Sequence, residues 1–307
     1  MVKYTAKRIL QGLFAMFILT TITFFMMKII PGNPFNKDNK VIPAKQMAAL
    51  VEKYGLDKTI MEQYTDYMKN LLKGDMGISY NKVDMTISSI IKRTAPVTAK
   101  LGMVAFGVSL VAGVTLGIVS ALSKKRWVNN IITVIVTIGV SVPSFLIGIG
   151  MMILFGVKLK LFPLIGLTSP RHFVLPTIAL SLSPISYITR LTRSSLRDVM
   201  NQDYITLARS KGTKNIKVIV MHGLKNALLP VITYCGPLIS GLVTGSFVTE
   251  SLFSIPGIGA QFVNSVNNRD YTLIMGLTIF LGLLVIVFNM LADFVSAAVD
   301  PRIKLKG

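Results

Sequence analysis

The sequence predicts an all-α polytopic membrane protein with six transmembrane helices. Three observations predict it. Long apolar runs recur along the chain, and about 18 residues or more suffice to cross a ~30 Å hydrocarbon layer as a helix. Only 15% of the 307 residues are charged, against about 25% in a typical soluble domain. The basic residues cluster in short segments at the ends of the apolar runs, which is the pattern of membrane topology.

The first span covers residues 9–30, and the run Ile9 to Met27 exceeds the about 7–15 residues of a signal-peptide core. It reads as a retained span. The second covers 101–123 and carries no charge. The third lies within 128–157, an uncharged run of 30 residues, long enough to tilt or to kink at Pro143. The fourth, 172–189, is the shortest and is interrupted by Pro176 and Pro184. The fifth covers 226–249 and the sixth 271–293.

Orientation follows from the Lys/Arg content of the short segments. Lys3, Lys7 and Arg8 precede the first span, and Lys124, Lys125 and Arg126 lie between the second and third. Eight bases lie between the fourth and fifth, and Arg302, Lys304 and Lys306 follow the sixth. With six spans all four segments share one side, so both termini are expected in the cytoplasm. Lys158, Lys160, Arg171 and Arg269 fall on the other side.

Three regions result: residues 1–30 with the first span, an extracytoplasmic helical loop at 31–96, and a core of five spans at 97–307. The outer loop carries ten bases and seven acids. Ile60, Tyr64, Tyr67, Met68 and Leu71 mark one face of an amphipathic helix, with Gly74 as its stop. Pro43 opens an earlier helix ending near Gly55. This loop is expected either to cap the spans or to dock an outside partner.

The net charge of +20 does not indicate nucleic-acid binding, since no recognised nucleic-acid motif accompanies it. The single cysteine, Cys235, excludes an intramolecular disulfide. His172 and His222 lack a Cys or His partner at metal-ligand spacing, so no metal site is expected. No G-x-x-x-x-G-K-[ST], H-E-x-x-H or G-x-S-x-G motif occurs, so no catalytic residues are assigned and the chain is not expected to hydrolyse ATP.

The segment 190–225 carries Arg190, Arg193, Arg197, Arg209, Lys211, Lys214, Lys217 and Lys225 against Asp198 and Asp203. Its charge alone fits a loop held near anionic lipid. Its turn chemistry suggests more. Asp203 suits the N-cap of a short helix, with Tyr204, Leu207, Ala208 and Lys211 on one face. Gly212 suits the left-handed position that ends it. Thr213 is positioned to cap a second helix reaching about His222, a pattern that Ile216 and Val220 continue. The result is a rigid knuckle with a basic outer face toward a cytosolic partner.

The run Asp203-Tyr204-Ile205 through Ala208-Arg209-Ser210-Lys211-Gly212, followed by Lys225-Asn226-Ala227-Leu228-Leu229-Pro230, resembles the cytoplasmic loop of ABC importer permeases. It is most similar to the oligopeptide/dipeptide/nickel branch, and within it to the oligopeptide-type B subunit. Only Ala208 and Gly212 agree with the general importer motif, in which Glu-Ala-Ala and three residues precede Gly. Further matches are Pro31 to Phe35, Tyr54 to Asp57, Gly74 to Gly77, Ser141 to Phe145, Arg190 to Arg193, Glu250 to Gly259, Asn268 to Tyr271 and Asp300 to Arg302.

The resemblance implies the six-span fold of type I ABC importers in a bacterial cytoplasmic membrane. It implies half of a peptide pathway, completed by a second homologous permease in a heterodimer. Two cytosolic ATPase subunits would hold ATP and Mg, this chain binding no cofactor, and an extracytoplasmic binding protein would deliver substrate. It also implies that Asp203, Tyr204, Leu207, Ala208, Arg209, Lys211, Gly212, Asn226, Leu229 and Pro230 couple to an ATPase. Nickel or a metal chelate is the alternative cargo, and an ion-coupled secondary transporter or a membrane-embedded enzyme the alternative class.

Path or hinge candidates in the spans are Pro143, Ser144, Pro237, Gly241 and Gly245; Pro143, Pro184 and Pro237 read equally as hinges or fixed kinks, whereas Gly241 and Gly245 read first as helix packing. Gly236 reads as a close helix approach. Glu250, with Phe253 and Pro256-Gly257, is expected at the outer mouth. Asp293, one turn after Asn289, is the acid within an apolar run and reads either as functional or as half of an ion pair.

Overall fold

A computed structural model describes residues 2–29, 35, 43–82 and 85–299. The described residues form helices, with one isolated antiparallel bridge between Ile78 and Thr86. Five helices are long and apolar enough to cross a membrane, or six if one bent pair counts as a single span. The chain divides into two compact units, Met1–Val97 with Pro256–Ile286, and Thr98–Ile255 with Val287–Gly307.

In the first unit, α1 (Val2–Ile29) is the first span. α2 (Ala44–Lys53) starts at Pro43 and is followed by Gly55 in a left-handed conformation. α3 (Ile60–Leu72) starts at a reciprocal capping box between Thr59 and Glu62, and that bond also lowers the Glu62 carboxyl pKa. Tyr64 and Tyr67 of the amphipathic face pack on Phe24 and Phe25, and the Tyr64 hydroxyl lies 2.8 Å from Thr21 Oγ1. Burial pushes the Tyr67 hydroxyl pKa well up. The outer loop therefore closes onto α1.

It is also tied to the last span, α14 (Tyr271–Val299), through Asp270. This buried carboxylate accepts from the backbone N–H groups of Tyr80 at 3.1 Å, Asn81 at 3.3 Å and Leu273 at 3.2 Å, and from the Ser79 hydroxyl. Ile87, Ile90, Ile91, Ile258, Leu273 and Leu277 form the core of this unit. Ile258 opens α13 (Ile258–Asn267).

The second span is longer than its apolar run. It is α4 (Ile87–Leu122), which begins 14 residues before the expected 101 and passes Lys92, Arg93 and Pro96. Polar residues enter its interior because hydroxyls bond back to the helix, as Thr94 does to the Ile90 carbonyl.

The expected third span is broken. α5 (Arg126–Ser141) and α6 (Ser144–Met151), with a π-helical extension Met152–Lys158, meet at 111°. Pro143 caps α6, and both arms pack on α7 (Val174–Met200).

α7 corrects the weak fourth span. It runs 27 residues, straight through Pro184 and the first bases of the expected loop. It is the centre of the second unit, and its apolar content is low because so much of it is buried against protein rather than lipid.

On α4, Ala105, Ser109, Gly113 and Gly117 form a small-residue stripe at four-residue spacing. It lies against α7, where the Ser181 hydroxyl donates to the Ala105 carbonyl at 3.1 Å and that of Thr189 to the Gly113 carbonyl at 3.2 Å. Small residues let the two backbones approach.

The fifth span, Leu229–Leu252, is interrupted at Gly245 with φ +92°, between α11 (Leu229–Thr244) and α12 (Phe247–Leu252).

Candidate functional site: the basic knuckle

The segment after α7 folds as a tight knuckle in the second unit. Asn201 and Gln202 turn the chain into α8 (Asp203–Ser210). Gln202 is the N-cap, and Asp203 is the first helical residue without a side-chain capping bond, which corrects its expected role. Asp203 instead sets a negative charge in the first turn, where the helix dipole favours it. α8 ends as expected, with Gly212 at φ +77°.

Thr213 does not cap the next helix. Lys214 does, and α9 (Asn215–Lys217) passes through a π-helix, Val218–Leu224, into α10 (Lys225–Ala227). This second arm is longer than expected because the chain stays helical past His222. Leu229 and Pro230 then open α11, proline serving where no N–H is needed.

The knuckle is anchored on its inner side. Ile205, Val218 and Ala227 are fully buried, as is Leu196 of α7. Asn226 Nδ2 donates to the Tyr204 hydroxyl at 2.9 Å, joining α10 to α8. Gly223 is buried, and a Cβ there would meet Met200 Sδ at 3.1 Å. Arg197 Nη2 donates to the Ser120 carbonyl at the end of α4, at 3.4 Å.

Its outer side is free. Tyr204, Leu207 and Lys211 are exposed and Ala208 is half-buried. Leu207, Ile216, Val220 and Met221 are 54–73% exposed. Arg209, Lys211, Lys214 and Lys217 are exposed in the same segment. The bases expected from the charge pattern are exposed here. What the fold adds is a set of exposed apolar side chains among those bases, the composition of a docking surface. Exposed Met221 carried no sequence signal, since its apolar character fits a buried helix equally well.

The span candidates are dispersed. Pro143 and Ser144 sit at the break between α5 and α6. Pro237 and Gly241 are exposed on α11. Glu250 is fully buried, which corrects its placement at an open mouth, and Phe253 is 2% exposed. Ser246 caps α12, and a Cβ on Gly245 would meet Glu250 Oε1 at 2.7 Å. Asn289 is exposed and Asp293 half-buried on α14. Gly236 does mark a close approach, since a Cβ there would overlap the Ala292 side chain. Among the described residues no cluster of three His, Cys, Asp or Glu could hold a metal ion. Pro31 to Pro34 and Asp300 to Arg302 lie outside the described residues.

Residues 113–305 match the family model of the binding-protein-dependent transport system inner membrane component, and residues 1–102 match the N-terminal model of that component. The chain belongs to this family. It is a multi-pass cell-membrane protein. It is 41% identical over 305 residues to the dipeptide transport system permease protein DppB of Bacillus subtilis, covering 99% of each chain. It is 39% identical over 307 residues to the oligopeptide transport system permease proteins OppB of Haemophilus influenzae and Escherichia coli (strain K12), covering 99% of this chain and all of theirs.

The fold is that of solved ABC importer permeases. The methionine transporter MetNI in an inward-facing form matches at TM-score 0.55 and 17% identity, over 69% of this chain and 96% of that one. An amino acid ABC transporter with histidines matches at TM-score 0.56 and 14% identity, over 69% and 94%.

Proposed function

We propose that the chain is a permease subunit of an ATP-driven importer, taking up peptides handed over by an extracytoplasmic binding protein. The observation that carries this is the knuckle, held by buried Ile205, Val218 and Ala227 and presenting exposed apolar and basic side chains. A surface so anchored passes a push directly into α7 and α11. The push comes from two cytosolic ATPases that hold ATP and Mg, this chain supplying no phosphate-binding loop. Peptide as cargo rests on the names of the relatives.

With the bent pair counted as one span, both termini and the knuckle face the cytosol, as the Lys/Arg distribution favours. A homologous permease completes the pathway as a heterodimer. α3, packed on α1 through Tyr64 and Tyr67, offers the binding protein an outer surface.

Gly212 tests the coupling. A Cβ there meets nothing within 4 Å, so Gly212→Val acts through backbone strain, about 1–2 kcal/mol in the left-handed region. The variant is expected to insert normally while ATPase co-purification and peptide uptake fall roughly tenfold, the equivalent of 1.4 kcal/mol. Normal assembly and uptake would show that the knuckle does not couple.

A further inference from the structure

α7 is enclosed by its neighbours on most sides, and apart from Ile178, near its start, what it leaves exposed is polar. Ser183, Tyr187, Arg190, Ser194 and Arg197 follow one another at intervals of four, three, four and three residues, and all five are exposed. That spacing is a single face of an α-helix. Tyr187 is 48% exposed and lies one turn before Arg190, and Arg190 forms no ion pair among the described residues. Hydroxyls and a guanidinium on the open face of a spanning helix are costly against lipid and mark a wet cavity.

α11 shows two contrasting faces. One carries Val231, Ile232, Cys235, Gly236 and Ile239 and lines an apolar hollow of about 630 Å³ with α4 and α14. The other exposes Thr233, Pro237 and Gly241 at four-residue spacing. Pro237 has no N–H, so the Thr233 carbonyl loses its helical donor and adds a polar group to that face. A Cβ on Gly241 would meet nothing within 4 Å. The two polar faces are joined by Tyr187 and Tyr234, whose ring centroids are 4.4 Å apart.

We infer that the α7 strip Ser183–Tyr187–Arg190–Ser194 and the α11 strip Thr233–Pro237–Gly241 form one wall of the water-filled translocation path. The Tyr187–Tyr234 pair is its aromatic constriction. Arg190, one turn below, is the charge that receives a carboxylate. The wall suits an extended polar chain with a free carboxylate: hydroxyls for its amide groups, ring faces for its side chains, one cation for its terminus. This deepens the importer reading and rests on it for the nature of the cargo. The apolar face of α11 has no part in the path.

Cysteine accessibility in the complete transporter tests the wall. Cys235 is first replaced by serine, then single cysteines are placed at Ser183, Ser194 and Thr233, with Val111→Cys and Val295→Cys as apolar-face controls. An anionic, membrane-impermeant methanethiosulfonate is applied from the knuckle side of membrane vesicles. The strip cysteines are expected to react at least ten times faster than the controls. Adding Arg190→Gln to Ser194→Cys should slow that reaction severalfold, because the attraction for the anionic reagent is removed. Strip cysteines as inert as the controls would overturn the wall, and an unchanged rate with Arg190→Gln would overturn the assigned charge. ATP-driven uptake by the Cys235→Ser parent is measured separately. Its absence would count against the importer reading and leave the labelling result standing on its own.

Discussion

Replacing Gly113 and Gly117 together by leucine is expected to remove the protein from the membrane. A Cβ on Gly113 would sit 2.7 Å from the Ile188 Cβ, and one on Gly117 would overlap Thr192. Neither neighbour can yield, since Ile188 and Thr192 are themselves fully buried. Overpacking costs about 1–3 kcal/mol at a single site, and two sites on one helix pair force α4 and α7 apart. Separation also breaks the bonds from Ser181 and Thr189 to the α4 backbone. Gly107→Leu is the control, because a Cβ there meets nothing within 4 Å on the same helix. Immunoblots of washed membranes should show the double variant reduced at least tenfold and the control at normal level. Equal levels would mean that the α4–α7 contact does not hold the second unit together.

Leu207→Asp should have the largest effect on function with the least on folding. Leu207 is 56% exposed beside fully buried Ile205, so the new carboxylate meets solvent rather than core. Within a docked interface the same carboxylate is desolvated among apolar groups. Central apolar anchors typically contribute about 2 kcal/mol or more, roughly a 30-fold change in affinity. Pull-down through a tag on this chain should recover the partner permease but little ATPase. The variant should elute at the same position as the parent on size exclusion. Full recovery of the ATPases would place the docking surface elsewhere.

Much of this was legible from the residues. Pro43, Gly55, Gly74 and Gly212 marked helix ends through local backbone chemistry, and each stands where a turn requires it. The amphipathic face of α3 announced its partner side through Tyr64 and Tyr67. The lengths of α4 and α7 were not legible. Hydropathy reads Ser181, Thr189 and Thr192 as unsuited to a membrane, whereas here they are buried between helices.

The break at Pro143 could be read, but its 111° angle could not, because the packing of α5 and α6 on α7 sets it. The Ala105–Gly117 stripe was silent for a similar reason. Small residues at four-residue spacing say that a helix can come close, not which one does. For the knuckle, charge located the surface and the fold revealed the apolar side chains exposed on it. Glu250 misled because a lone carboxylate near a span end suggests a mouth, while in the fold it is fully buried beside Gly245.

The most direct test of the account is labelled-peptide uptake into liposomes holding the complete transporter, with the loaded binding protein outside and ATP enclosed. Uptake is expected to require ATP, to persist when a protonophore collapses the proton gradient, and to be lost with Leu207→Asp. Uptake driven by a proton gradient without ATP would contradict it.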